Sequence, residues 1–96
     1  MLTKTEIIQR LRAREPDLRA KGVMGLFLFG SYARNTATAQ SDIDLFLDQA
    51  PTMGMEFFDV MDVLAEALPI PVDVTTRDAL HRLARPVIET QAERIF

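Results

Sequence analysis

Apolar residues fall along this chain in short blocks, separated by prolines, glycines and polar runs. The first block, Ile7, Ile8 and Leu11, repeats at helical spacing behind Thr3-Lys4-Thr5-Glu6, whose threonine and glutamate fit a capping box. Pro16 ends or restarts this helix, because it lacks an N–H and disfavours helical geometry at Glu15. Leu18 then belongs to a short second piece, and Gly22 to the turn after it. Val23 to Phe29 (VMGLFLF) is a continuous apolar run flanked by glycine, which predicts a buried strand. Gly30 to Ser41 is small and polar, a loop with one helical turn. Ile43 to Leu47 follows as a second strand with Asp42 at its mouth. After a turn at Pro51 to Gly54, residues 57–68 read as a helix whose acids Glu56, Asp59, Asp62 and Glu66 share one solvent face. Pro69 and Pro71 end it, and Val72 to Thr75 form a third strand. Thr75-Thr76-Arg77-Asp78 opens a last helical stretch. In it Leu80, Leu83, Ala84, Val87, Ile88 and Ile95 keep helical spacing, and Pro86 divides it in two.

Three strands with helices on one face predict a two-layer α+β domain. Met53, Met55, Phe57, Phe58 and Met61 are assigned to its core, with part of the cluster on a partner surface as the lesser reading. Arg10, Arg12 and Arg14 are assigned to a solvated helix face, and Tyr32 to packing beside the loop.

Composition narrows the class. Ninety-six residues suffice for one core, so residues 1–96 are expected to be a single domain. A 48% hydrophobic and 26% charged chain excludes a disordered or low-complexity protein. No apolar run is long enough to cross a membrane, and the N-terminus lacks the apolar stretch of a signal peptide, so a cytoplasmic location is expected. Without cysteine there is no disulfide and no thiolate metal site, and the single histidine, His81, leaves no imidazole-based one. Residues 36–96 carry four basic and eleven acidic side chains. That balance argues against coating a long nucleic acid, but an acidic site can handle a phosphorylated ligand through a divalent cation.

The chemistry concentrates in Gly30-Ser31, ten further residues, and Asp42-Ile43-Asp44. Residues i and i+2 of a strand share a face, so Asp42 and Asp44 lie side by side, while Ile43, Leu45 and Leu47 face the other way. Two such carboxylates repel by roughly 3 kcal/mol unless a cation lies between them. Magnesium takes oxygen ligands and keeps room for substrate phosphates. Asp73, between the core-facing Val72 and Val74, adds a third carboxylate if its strand pairs beside the second, and three acids suit two cations. The alternative is that Asp42 and Asp44 are solvated at a strand mouth and Asp73 is an exposed edge-strand residue. Gly30-Ser31 after a strand offers backbone amides and a hydroxyl to phosphate oxygens, and Arg34 a positive charge.

Phe29-Gly30-Ser31-Tyr32-Ala33-Arg34, followed by Ser41-Asp42-Ile43-Asp44-Leu45, resembles the GS-x10-DxD signature of the DNA polymerase β-like nucleotidyltransferase superfamily in its minimal form. The resemblance implies the polymerase β-like palm, a small mixed sheet with helices packed on one face. It further implies that Gly30 and Ser31 bind the triphosphate of ATP, with Arg34 beside them. By the same resemblance, Asp42, Asp44 and Asp73 would hold two magnesium ions, and Asp73 would activate the attacking hydroxyl. Many members have glycine where this chain has Asn35, a residue that also tolerates left-handed backbone. Minimal members pair with a helical HEPN-domain toxin. The implied function is an antitoxin that moves AMP from ATP to a tyrosine of that partner. An antitoxin that only occludes its partner, and a transferase acting on a small molecule, are the competing readings. A dehalogenase-type phosphatase also begins with DxD, but Phe46 stands where it needs Thr or Val.

Overall fold

A computed structural model describes residues 2–96 of the protein. Its elements in chain order are α1 (Lys4–Arg12), α2 (Glu15–Ala20), β1 (Val23–Phe29), α3 (Gly30–Ala33), β2 (Ile43–Gln49), α4 (Glu56–Ala67), β3 (Val72–Thr76), a 3-10 turn (Arg77–Ala79), α5 (Arg85–Gln91) and β4 (Glu93–Arg94). The four strands form one mixed sheet in the order β3-β2-β1-β4. β1 runs antiparallel to β2 and β4, and β2 runs parallel to β3. The parallel pair requires a crossover, and α4 supplies it.

Local chemistry accounts for the early elements. The Thr3 hydroxyl accepts from the Glu6 amide at 3.1 Å, and the Glu6 carboxylate accepts from the Thr3 amide at 3.1 Å. This reciprocal cap starts α1. Pro16 lies in the first turn of α2, where its missing N–H costs nothing. Lys4 donates to the Ala33 carbonyl at 3.3 Å and so ties α1 to the end of α3.

Strand parity divides the sheet into two faces. Leu26 and Leu28 of β1 and Ile43, Leu45 and Leu47 of β2 are buried with Ile7 and Leu11 of α1, Leu18 of α2, and Val60 and Leu64 of α4. A register shift between Val23 and Gly25 brings Val23 to this same side and leaves Met24 exposed. The opposite face carries Phe27, Phe29, Asp44, Phe46 and Asp48. There the Phe27 and Phe46 rings stack at 4.8 Å, and the Arg77 guanidinium lies 4.8 Å from the first and 5.0 Å from the second.

The C-terminal stretch differs from the helix expected through Ile95. α5 stops at Gln91, and residues 93–94 pair with β1 as a fourth strand. Ile95 donates to the Leu26 carbonyl at 2.8 Å, and Leu26 donates to that of Phe96 at 3.0 Å. Ile95 is fully buried, but as an extension of the sheet edge, where its side chain reaches the core that a helical turn would have denied it. Leu83 and Val87 are exposed. The methionine and phenylalanine cluster also divides. Met53 and Phe57 pack against the core, whereas Met55, Phe58 and Met61 face outward, because Val60, Val63, Leu64 and Ala67 already fill the buried stripe of α4. Arg12 donates to the Ile95 carbonyl at 2.8 Å and thus fastens the C-terminal segment to α1, a role its assignment to a solvated face did not include.

The capping box gives a direct test of this scheme. Thr3→Ala should cost about 1 kcal/mol, since one amide of α1 loses its acceptor. For a domain of this size that lowers the midpoint of thermal unfolding by about 4–8 °C. An unchanged midpoint would show that α1 is held by packing alone.

Candidate active site

β1 ends in Phe29 with extended backbone, and the chain turns at once through Gly30, whose φ of 75° is left-handed. The glycine is required twice. Other residues rarely adopt that φ, and a Cβ at this position would fall 2.2 Å from Asp44 Oδ2. The Asp44 carboxylate therefore lies against the backbone of the Gly30-Ser31 turn. Thr36 donates to the Ser31 carbonyl at 2.9 Å, closing the turn. Asn35 takes φ 59°, the left-handed geometry expected of it. Ser41 then organises the approach to β2: its hydroxyl accepts from the Thr38 amide at 2.9 Å, and its amide donates to the Thr38 carbonyl at 3.0 Å.

The parallel register sets Asp44 opposite Asp73, Phe46 opposite Thr75 and Leu47 opposite Thr76. Across the antiparallel ladder Asp44 faces Phe29. One row of the far face therefore reads Phe29, Asp44, Asp73, and the next reads Phe27, Phe46, Thr75. Asp42 immediately precedes β2 and is exposed, as is Asp73, while Asp44 is half-buried. Burial, Asp73 and Asp42, in that order, push the Asp44 carboxyl above its usual range, and Arg34 pulls the other way. The charge of Arg34 thus reaches Asp44 from an exposed position after α3.

Gly30, Ser31, Arg34, Asp42, Asp44 and Asp73 consequently belong to one end of the sheet. Among the described residues, no three carboxylate or imidazole side chains are gathered into a ready-made metal cage. The donor chemistry still suits a hard cation. The oxygens are carboxylates, Asp42 and Asp73 raise the pKa of the Asp44 carboxyl, and both of them are exposed. The remaining candidates settle elsewhere. Tyr32 is buried in the core, and the His81 ring accepts from the Leu83 amide at 3.2 Å in a local turn.

The profile of the nucleotidyltransferase domain family matches residues 4–96. The chain belongs to this family. A Methanocaldococcus jannaschii protein provisionally named a protein adenylyltransferase is 36% identical over 83 residues, covering 84% of this chain and 85% of that one. The protein adenylyltransferase MntA of Thermococcus cleftensis is 34% identical over 83 residues, covering 83% of each. Among solved structures, a toxin–antitoxin with AMP-PNP aligns with a TM-score of 0.67 at 27% identity, over 99% of this chain and 73% of the other. A structure assigned as a minimal nucleotidyltransferase reaches a TM-score of 0.72 over 90% and 93% of the two chains. At 24% identity it speaks to the fold. The small mixed sheet with its five helices is thus the minimal nucleotidyltransferase fold, and the protein is a nucleotidyltransferase. No helix of the described residues is long and apolar enough to cross a membrane.

Arg77 and Asp48 are absent from the residues singled out by sequence. Strand alternation does place Asp48 on the face of Asp44. Only the parallel register shows that the chain leaving β3 reaches it, and there Arg77 pairs with Asp48 at 2.7 and 3.0 Å.

The raised Asp44 pKa has a definite consequence for stability. With the folded value above the ordinary 3.8, the folded state holds more protons than the unfolded state between the two values. Stability contributed by this group is full below about pH 3.8, falls as pH rises through the raised value, and stays lower above it. In the presence of a chelator, Asp44→Asn should therefore raise the unfolding midpoint at neutral pH, with the gain vanishing in acid below that limit. A constant difference at all pH values would mean that packing, not charge, separates the two proteins.

Proposed function

We propose that this chain is an antitoxin that transfers AMP from ATP to a hydroxyl of a toxin partner, a tyrosine of a HEPN-type protein. The observation that carries the proposal is the pairing of Asp44 with Asp73, against the glycine turn that receives the Asp44 carboxylate. The relatives named as protein adenylyltransferases and the toxin–antitoxin with AMP-PNP support the donor, the class of acceptor and the partner.

In this reading the amides of the Gly30-Ser31 turn and the Ser31 hydroxyl hold the phosphates, and Arg34 offsets their charge. Asp42, Asp44 and Asp73 would hold two magnesium ions. Magnesium, when bound, neutralises phosphate oxygens and makes the acceptor hydroxyl more acidic. Asp73, on its own strand, faces the acceptor and takes the hydroxyl proton. The acceptor oxygen bonds to the α-phosphorus, the bond from that phosphorus to the bridging oxygen breaks, and pyrophosphate leaves. An antitoxin acting by occlusion alone would have no use for two uncompensated aspartates in register.

Magnesium with ATP should raise the unfolding midpoint. A ligand at about a hundredfold excess over Kd stabilises by about 2.7 kcal/mol, and Asp42→Asn should shrink the effect. No shift for the unmodified protein would remove the metal–nucleotide site.

Asp73→Asn separates binding from chemistry. With Asp42 and Asp44 still in place to hold magnesium, it should bind ATP nearly normally by calorimetry. It should label a co-purified partner from α-labelled ATP at least about a hundredfold more slowly, the scale of general-base help. Lost ATP binding with normal turnover per bound ATP would make Asp73 a nucleotide ligand. No labelling by the unmodified complex would favour occlusion.

A further inference from the structure

Arg77 has no part in the transfer just described, yet it is the most heavily bonded side chain on the far face of the sheet. Its guanidinium donates two parallel bonds to Asp48 of β2, at 2.7 and 3.0 Å, and a third N–H to Glu89 of α5. It also lies over the rings of Phe27 and Phe46. Each of its three nitrogens thus donates to a carboxylate, and the side chain is three-quarters covered.

The placement matters because β3 is an edge strand. It pairs with β2 on one side only, and for just five residues. At its leading end Ile43 donates to the Pro71 carbonyl at 3.0 Å. At its trailing end the chain leaves the ladder at Thr76, and Arg77 reaches back to Asp48. A slip of one residue would turn Asp73 to the opposite face and separate it from Asp44. α5, held by Glu89, also packs against α3, the helix that begins with Gly30-Ser31. One guanidinium therefore ties together the strand of Asp73, the strand of Asp44 and the helix that abuts the glycine turn.

We infer that Arg77 is a positioning residue that pins Asp73 in register with Asp44 through Asp48 and, through Glu89, seats α5 against the glycine turn. The inference rests on the adenylyl-transfer reading for its effect on rate, while its effect on register is independent of it. The fork and not the charge is what matters, since an ammonium group cannot make the two parallel bonds to Asp48 while spanning to Glu89.

The test compares Arg77→Lys, which keeps the charge, and Glu89→Gln, which loosens the tie to α5 and the Arg85–Glu89 pair within that helix, with the unmodified protein. Amide hydrogen exchange is measured strand by strand, ATP with magnesium is titrated by calorimetry, and labelling of the co-purified partner from α-labelled ATP is followed in single turnovers. Arg77→Lys should speed exchange in β3 and leave β1 as it was. It should hold ATP affinity within about threefold and slow transfer per bound ATP at least about tenfold, a rise of about 1.4 kcal/mol in the barrier. Glu89→Gln should slow transfer less and leave β3 exchange unchanged. Exchange raised throughout the chain, or β3 exchange raised with transfer unaffected, would make Arg77 a purely structural residue and overturn the inference, as would a lysine variant matching the unmodified protein in both. If the unmodified complex transfers no AMP, the activity reading falls, and β3 exchange alone decides whether Arg77 pins the register.

Discussion

The parallel pairing of β2 with β3 is the constraint on which the site depends, because that register alone places Asp73 opposite Asp44. The pairing works against charge. Two carboxylates on adjacent strands, with Asp42 close by, repel one another, and the rise in the Asp44 pKa reports this cost together with that of burial. The other face of the same strand supplies the compensation. Ile43, Leu45 and Leu47 are fully buried, and each such side chain contributes roughly 1.5–3 kcal/mol on leaving water. A strand held this firmly by its apolar side can carry an unfavourable polar side, and the period of two keeps the opposing tendencies on separate faces.

Much of this was legible in the chain itself. β1 was readable to the residue, because a short apolar run between glycines has few other uses. Thr3 and Glu6 announced the start of α1, and Pro16 its interruption. The spacing of Asp42-Ile43-Asp44 already turned Asp44 away from the core that takes Ile43, Leu45 and Leu47, because parity in a strand is a property of spacing, not of tertiary contacts. What spacing could not supply was anything settled by partners distant in sequence. Ile95 sits at a helical interval from Ile88, so it read as helix. Its extended backbone follows from hydrogen bonds to Leu26, a partner sixty-nine positions earlier. The outward turn of Met55, Phe58 and Met61 likewise depends on which stripe of α4 the sheet selects, and all of those residues are apolar enough for either side.

The carboxylates of the far face fall into two kinds, and the difference separates scaffold from chemistry. Asp48 and Glu89 are both satisfied by Arg77, at short range and with directed hydrogen bonds. Their charges are matched, so they contribute to alignment and leave little field for a ligand. Among the described residues, Asp42, Asp44 and Asp73 form no salt bridge, and the one cation that influences Asp44, Arg34, does so from an exposed position. A protein with eleven basic side chains could have neutralised these three as it neutralised Asp48. Left unmatched, with a glycine turn built against one of them, they keep a negative field at this end of the sheet, the feature on which the proposed transfer rests. Arg77 matches the neighbouring charges of Asp48 and Glu89, so the same face carries paired carboxylates at one end and unpaired ones in the row of Asp44 and Asp73.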